Sequence, residues 1–399
     1  MTGYVEQPAR RIPVLSRFDT VIVGGGIGGV AAALAAARTG ASVGLVEKAV
    51  ALGGLATLGH VVLYMHLCDG RGRQVVGGIG EELMRLSVAD GFGDVPPAWK
   101  EGGCLADRAA DRLHTVFNPA FYALALEEVL LNAGVRLYFD ARFCDVAKDA
   151  AGAIDAVIIE SKSGRQALRC RTVIDASGDA DVCAAAGEPT ESLDTNGWAA
   201  WFYTCDGRSL ELHKHHAPFD RFGGPVAGRK GYRGDDLESV TRHLVDSREQ
   251  VRRRLADLRA GGGATPFVAM IPQLPDLRMT RRLVGVYELT RADDRRAFDD
   301  GIGLIGDWRE AGPVWSIPFR SLRAAATPNL LAVGRCLSAD RTVWDATRVI
   351  PACAVTGQAA GTAAALAVAG ADGRFDRLDA AALCGRLRAD GAMLDVSPA

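Results

Sequence analysis

The sequence predicts an α/β protein in which a parallel sheet and a β-meander form one domain and an inserted α+β segment forms another. Three observations point there. The β-branched run Asp19-Thr20-Val21-Ile22-Val23 stops at a glycine-rich turn and passes into an Ala-rich helical stretch reaching about Arg38. A second apolar run, Gly40 to Lys48, carries the acid Glu47 near its end. Short β-like runs from about Val135 then lead to Val173-Ile174-Asp175. The 399 residues exceed what one compact core usually holds, so two domains are expected: 1–194 with 314–399, and an inserted substrate or cap domain over 195–313.

Gly24, Gly26 and Gly29 make a GxGxxG pattern placed between strand and helix. The first glycine permits a tight turn, the second lets backbone approach a pyrophosphate, and the third lets helix and strand pack closely. The helix start then offers unpaired N–H groups to phosphate. Glu47, about 20 residues beyond, is placed to accept hydrogen bonds from a ribose diol. An acid here suits FAD or NAD and not NADP. Together these features describe a Rossmann-like dinucleotide site. One fingerprint only is present, which argues against a dedicated second domain for a nicotinamide cofactor.

Further segments are Gly53-Gly54-Leu55-Ala56-Thr57-Leu58-Gly59, Val173 to Asp181, Ile317 to Leu322, and Asn329 to Ser338 leading to Arg348-Val349-Ile350-Pro351-Ala352-Cys353 and Gly357-Gln358-Ala359-Ala360-Gly361. With Arg281 to Gly285, Leu289-Thr290 and Asp300-Gly301-Ile302 before Asp307, they resemble the FAD-dependent oxidoreductase family of glutathione-reductase-2 type. That family is distantly related to fumarate reductase flavoproteins and to the flavin subunit of heterodisulfide reductase. The resemblance runs from about Ile12 to about Gly370. The chain departs from it at Phe319, where Tyr is expected, and at Trp308, where His is expected; both departures bear on substrate rather than cofactor.

The resemblance implies FAD as cofactor, held by Gly24, Gly26, Ile27, Gly28, Gly29, Glu47 and Lys48, by Gly54, Leu55, Ala56 and Thr57, by Phe143, by Ala176, Ser177 and Gly178, and by Gly334, Arg335, Pro351, Gly357 and Gln358. Leu330–Val333 is expected to return beside the first strand and to feed a helix over Ala352–Val368. The positive end of that helix would face the flavin and favour its anionic reduced form. For Gly361 helix packing against the sheet is the stronger expectation. Fumarate reductase relatives bond flavin through a His before the Thr of the second glycine loop; Ala56 stands there, so non-covalent FAD is expected, with His60, His66 and Cys68 nearby as the other possible attachment points.

Arg348, Arg320 and Arg281 lie in these motifs and are the candidate catalytic residues, each able to fix a carboxylate or the flavin's pyrimidine edge or else to form an internal salt bridge. A thiol at Cys353, at a helix start, would have a depressed pKa; packing is its other role. In the insert, Trp198, Trp201, Phe202 and Tyr203 either stack a planar substrate or form one buried face of a strand. His213, His215 and His216, a Lys-containing cluster, read either as metal ligands or as a solvated, charged surface segment, the latter being the expectation, and Arg242–Arg259 reads as an amphipathic helix.

Composition excludes several classes. The nine cysteines stand singly with no CxxC pair, against zinc or iron–sulfur sites of the usual spacing. A net charge of −2 recruits neither nucleic acid nor membrane. The Ala359–Ala369 run is short of the roughly 20 residues of a span, and the first residues lack a secretory apolar region, so a cytoplasmic location is expected. The expected activity is hydride transfer between a small organic substrate and FAD, as oxidase or dehydrogenase, with the electron acceptor open, O2 among the candidates, and oligomerisation equally open. An electron-transfer subunit and an RNA-modifying flavoenzyme are the competing functions.

Overall fold

The computed structural model describes residues 3–100, 102–222, 224–229, 231–261 and 265–396; the extreme ends of the expected domain spans, 1–2 and 397–399, lie outside the described residues. At its centre is a five-stranded sheet in the order Leu330–Ala332, Thr172–Asp175, Thr20–Val23, Val43–Val46, Arg136–Tyr138. Every pairing in it is parallel. Its inner strands are buried along their whole length, which is why they read as continuous apolar runs rather than alternating ones.

Side-chain alternation divides the core into two layers. Ile22 faces helices Ile27–Arg38 and Ile350–Gly370, whereas Val21 and Val23 face Ile154, Val157, Ile159 and Leu168 of the meander. The meander is a four-stranded sheet ordered Val14–Arg17, Gly164–Arg169, Ile154–Ser161, Arg142–Lys148. The C-terminal strand Leu330–Ala332 does not lie beside the first strand as expected. Thr172–Asp175 separates them, because that strand takes the parallel edge of Thr20–Val23 in register Asp175 to Val23.

The two core helices approach at glycines. A Cβ on Gly357 would lie 2.2 Å from Gly28 O, and one on Gly361 would lie 2.1 Å from Ala32 O. Ile350–Gly370 begins two residues earlier than the sequence suggests, so Pro351 sits inside its first turn. Proline is tolerated there because the missing N–H would have had no intrahelical partner. Among the described residues this is the one helix long and apolar enough to cross a membrane, and 78% of its apolar window is buried within the protein.

The inserted part carries a three-stranded antiparallel sheet ordered Leu210–His216, Ala199–Cys205, Phe267–Met270. Helix Leu237–Ala260 packs on it through Val251 against Ala200 and Phe202. This helix starts before Arg242 because Asp236 caps it, accepting from the Ser239 N–H.

Candidate functional site

A cavity of about 400 Å³ opens at the carboxyl ends of the parallel strands and runs from the glycine turn to the inserted sheet. At the first end the turn is locked by close contacts. Gly24 has φ +106°, and a Cβ on it would lie 2.3 Å from Ala176 O. A Cβ on Gly29 would lie 1.9 Å from Gly24 O, so this glycine serves strand–helix packing and does not line the cavity. Gly26 differs: its backbone is extended, and a Cβ there would meet nothing within 4 Å. The missing side chain leaves backbone bare toward the cavity, the kind of surface that close approach of a pyrophosphate needs.

Glu47 is buried and lines the cavity. Its Oε2 accepts from the Gly25 N–H at 2.6 Å and its Oε1 from the Ala49 N–H at 2.7 Å. The acid therefore holds the glycine turn, with each of its oxygens bonded to backbone at the cavity wall. Gly25 O in turn accepts from the Gly53 N–H at 2.8 Å, which docks the second glycine loop; Gly54, Leu55 and Ala56 of that loop line the wall.

The turn after Thr172–Asp175 forms the opposite wall. Asp175 accepts from the Ser177 hydroxyl at 2.6 Å and the Cys183 N–H at 2.9 Å. Arg335 donates to Gly178 O, to Leu277 O and to Asp179 Oδ1, at 3.1, 2.8 and 3.2 Å. It thereby ties the C-terminal loop at Gly334 to both the nucleotide wall and the insert. Ala176, Ser177, Gly178, Gly334, Ile27, Gly28 and Lys48 all line the cavity.

Several sequence-predicted residues lie elsewhere. Thr57 spends its hydroxyl on Leu52 O, inside the second glycine loop. Gln358 accepts from the Ile79 N–H at 2.9 Å. Phe143 pairs with Ile159 in the meander. Pro351 and Gly357 are buried in the core helix, behind the cavity wall. Arg320 sits over the Tyr287 and Phe298 rings at 5.0 and 5.5 Å with Asp300 3.6 Å away, outside the cavity. Arg281 donates to Asp179 O at 2.9 Å and pairs with Asp181 at 2.8 Å, supporting the nucleotide wall from behind. Of the three candidate arginines only Arg348 lines the cavity, and it is paired with Asp345 at 2.7 Å. Burial holds it below the ordinary arginine value, Asp345 raises it, and the neighbouring Arg278 lowers it again.

The Cys353 thiol also lines the cavity, but burial pushes it up to about 11 against the lowering effect of Arg335 and Arg348. Desolvation outweighs the helix terminus, contrary to the depressed thiol expected. His60, His66 and Cys68 do not line the cavity. Among the described residues no cluster of three or more His, Cys, Asp or Glu is placed to hold a metal.

The far end of the cavity is formed by Trp201, Lys214, His216, Phe219, Arg278 and Trp308. Trp201 and Lys214 are direct cross-strand partners, which puts the ammonium 5.4 Å from the ring centre. The histidines are not one surface cluster. His213 is buried, stacked on Phe202 at 4.8 Å and bonded to Thr204 Oγ1, and His215 lies 4.9 Å from Trp198.

A family model described as FAD dependent oxidoreductase matches residues 19–199 and 219–387, which is most of the chain and includes every segment of the nucleotide end. The chain belongs to the FAD dependent oxidoreductase family. It is an enzyme with FAD as its cofactor, and the bare backbone at Gly26 and the acid at Glu47 fit that dinucleotide. Among solved structures the fold is similar to p-nitrophenol 4-monooxygenase PnpA from Pseudomonas putida DLL-E4, at 13% identity and TM-score 0.50 over 94% of this chain and 88% of that one. A geranylgeranyl bacteriochlorophyll reductase-like protein from Thermoplasma acidophilum is similar at 12% identity and TM-score 0.47, over 94% and 83%. No curated protein matches the sequence.

Proposed function

We propose that this oxidoreductase binds FAD non-covalently and takes a hydride from a small organic substrate, as a dehydrogenase or oxidase of glutathione-reductase-2 type working in the cytoplasm. The observation that carries this is the continuity of the cavity. One wall system joins the dinucleotide fingerprint to a face of aromatic and basic side chains supplied by the insert. FAD, when bound, supplies the two-electron acceptor. The chain supplies position: Gly26 admits the pyrophosphate, Glu47 takes the ribose, and Gly334 with Arg335 and the start of helix Ile350–Gly370 faces the other half of the cofactor. The unpaired N–H groups at that helix start favour negative charge there. In this proposal the segment 195–313 is the cap that covers the reacting centre and keeps water out, and reoxidation falls to O2 or another diffusible acceptor. Ala56 before Thr57, with His60, His66 and Cys68 away from the cavity, supports non-covalent attachment.

The test is anaerobic reduction of the purified holoprotein by a panel of small alcohols, amines and acids, followed at the flavin absorbance. Bleaching by members of one chemical class is expected. A flavin reduced only by a protein partner would replace this proposal with an electron-transfer role.

A further inference from the structure

The substrate end of the cavity is built from three cation–ring pairs. Lys214 Nζ lies 5.4 Å from the Trp201 ring centre, Arg278 Cζ 5.3 Å from Phe219, and Arg348 Cζ 5.7 Å from Trp308. All six residues line the same cavity. Each cation is held against a ring face, which orders a long side chain and fixes where its charge sits.

The charges at this end do not balance. Arg348 is pinned to Asp345 at 2.7 Å. Arg278 touches a carboxylate at one point, Asp276 Oδ2, at 3.5 Å. Lys214 has no carboxylate within salt-bridge distance among the described residues. Among the described lining residues Glu47 and Asp179 are bonded into the nucleotide wall and Asp276 stands beside Lys214, Arg278 and Arg348; with Asp345, which pairs Arg348 from outside the lining, two acids meet three cations. Asp276 is buried, and its Oδ1 has no hydrogen-bond partner. Arg278 and Arg348 also repel: the charge of Arg278 is among the causes that lower Arg348. An apolar, ring-walled space with excess positive charge is completed by an anion that is itself flat.

We infer that the substrate is an aromatic carboxylate, its acid group held by Arg278 and its ring seated among Trp201, Phe219 and Trp308. This rests on the oxidoreductase proposal above and narrows its substrate. Arg278 is the anchor, because its planar fork has N–H groups left over from the one-point contact with Asp276, whereas Arg348 is already paired. Arg278 is then a specificity residue, and Lys214 adds charge at the more exposed side of the mouth.

The experiment uses the FAD-loaded protein and two matched probe pairs, benzoate with benzamide and cinnamate with cinnamamide. Binding is read by calorimetry and by perturbation of the flavin spectrum. The acids are expected to bind at least tenfold more tightly than their amides. Arg278→Gln should bring the acids down to the amide level, leaving amide affinity and FAD content unchanged, and Arg278→Lys should restore part of the difference. Equal binding of acid and amide, no binding of either acid, or an Arg278→Gln protein that keeps its acid affinity would overturn the proposal. Loss of FAD from Arg278→Gln would also overturn it, by making Arg278 a flavin residue. A wild-type preparation that carries FAD but binds no acid removes this proposal alone; one that cannot be loaded with FAD removes the oxidoreductase proposal beneath it.

Discussion

Substituting Gly26 and Gly361 by alanine separates ligand approach from helix packing. At Gly26 the added methyl meets no protein atom within 4 Å, and the backbone is one that alanine adopts freely. The FAD-free protein should therefore lose no stability, and restriction of the unfolded chain should add roughly 0.4–1 kcal/mol. In the proposed placement the same methyl stands where backbone must reach the pyrophosphate. Losing a hydrogen bond to a charged group costs about 1.5–3 kcal/mol, so FAD affinity should fall roughly tenfold to 150-fold. At Gly361 the methyl would lie 2.1 Å from Ala32 O and 2.9 Å from Ala36 N, so the two core helices must separate. Overpacking of this kind costs about 1–3 kcal/mol. The better helix propensity of alanine, worth about 1 kcal/mol, offsets part of that. Because the 2.1 Å contact is to backbone, the cost sits at the upper end of that range, and a net loss of about 2 kcal/mol corresponds to a fall of roughly 2–3 °C in Tm for a chain of 399 residues. The assay is thermal melting of both FAD-free variants with FAD titration by fluorescence quenching. A Gly26→Ala protein with wild-type FAD affinity would refute the placement of the pyrophosphate. A Gly361→Ala protein that melts normally would refute the packing role.

Glu47→Ala should weaken FAD binding by one to two decades and also lower Tm, since it removes the acceptors for Gly25 and Ala49; an unchanged dissociation constant would show that Glu47 does not meet the ribose. Arg348→Ala should slow anaerobic flavin reduction at least tenfold, about 1.4 kcal/mol of barrier, whereas Arg320→Ala, outside the cavity, should leave it within about twofold by the same measure; stopped-flow absorbance decides between them. His66 is pushed down to about 3 by burial, then by Arg112 and His114, so the folded protein disfavours its proton. Acidification from the ordinary histidine value toward that pKa should then cost stability, because the unfolded chain takes up a proton the native one refuses, at up to about 1.4 kcal/mol per pH unit. Melts between pH 7 and pH 5 should show a shallower slope for His66→Gln, and an unchanged slope would count against the buried neutral imidazole.

What could be read from the sequence was what is local along the chain. The strand, the glycine turn and the acid at Glu47 form one contiguous segment, so spacing alone placed them. Arg281 shows the opposite case: its partners Asp179 and Asp181 are about a hundred positions away, and no local pattern distinguishes a side chain that braces a wall from one that faces a substrate. The start of helix Ile350–Gly370 was misplaced because proline stops a helix in its interior but not in its first turn. Arg278 stands on no motif and was missed. Lys214 left a usable signal. In a strand over Leu210–His216, Lys214 and His216 share one face and His213 takes the other, so a period of two separates the cavity residues from the buried ring. Taken as a charged surface segment, that alternation disappears.

The central claim is that FAD sits non-covalently in the cavity that begins at Gly24 and Gly26. Acid precipitation of the purified yellow protein, with chromatography of the supernatant, tests it most directly. FAD is expected in the supernatant, close to one equivalent per chain, with a colourless pellet. Colour retained in the pellet would contradict non-covalent binding, and FMN or NAD in place of FAD would contradict the cofactor itself.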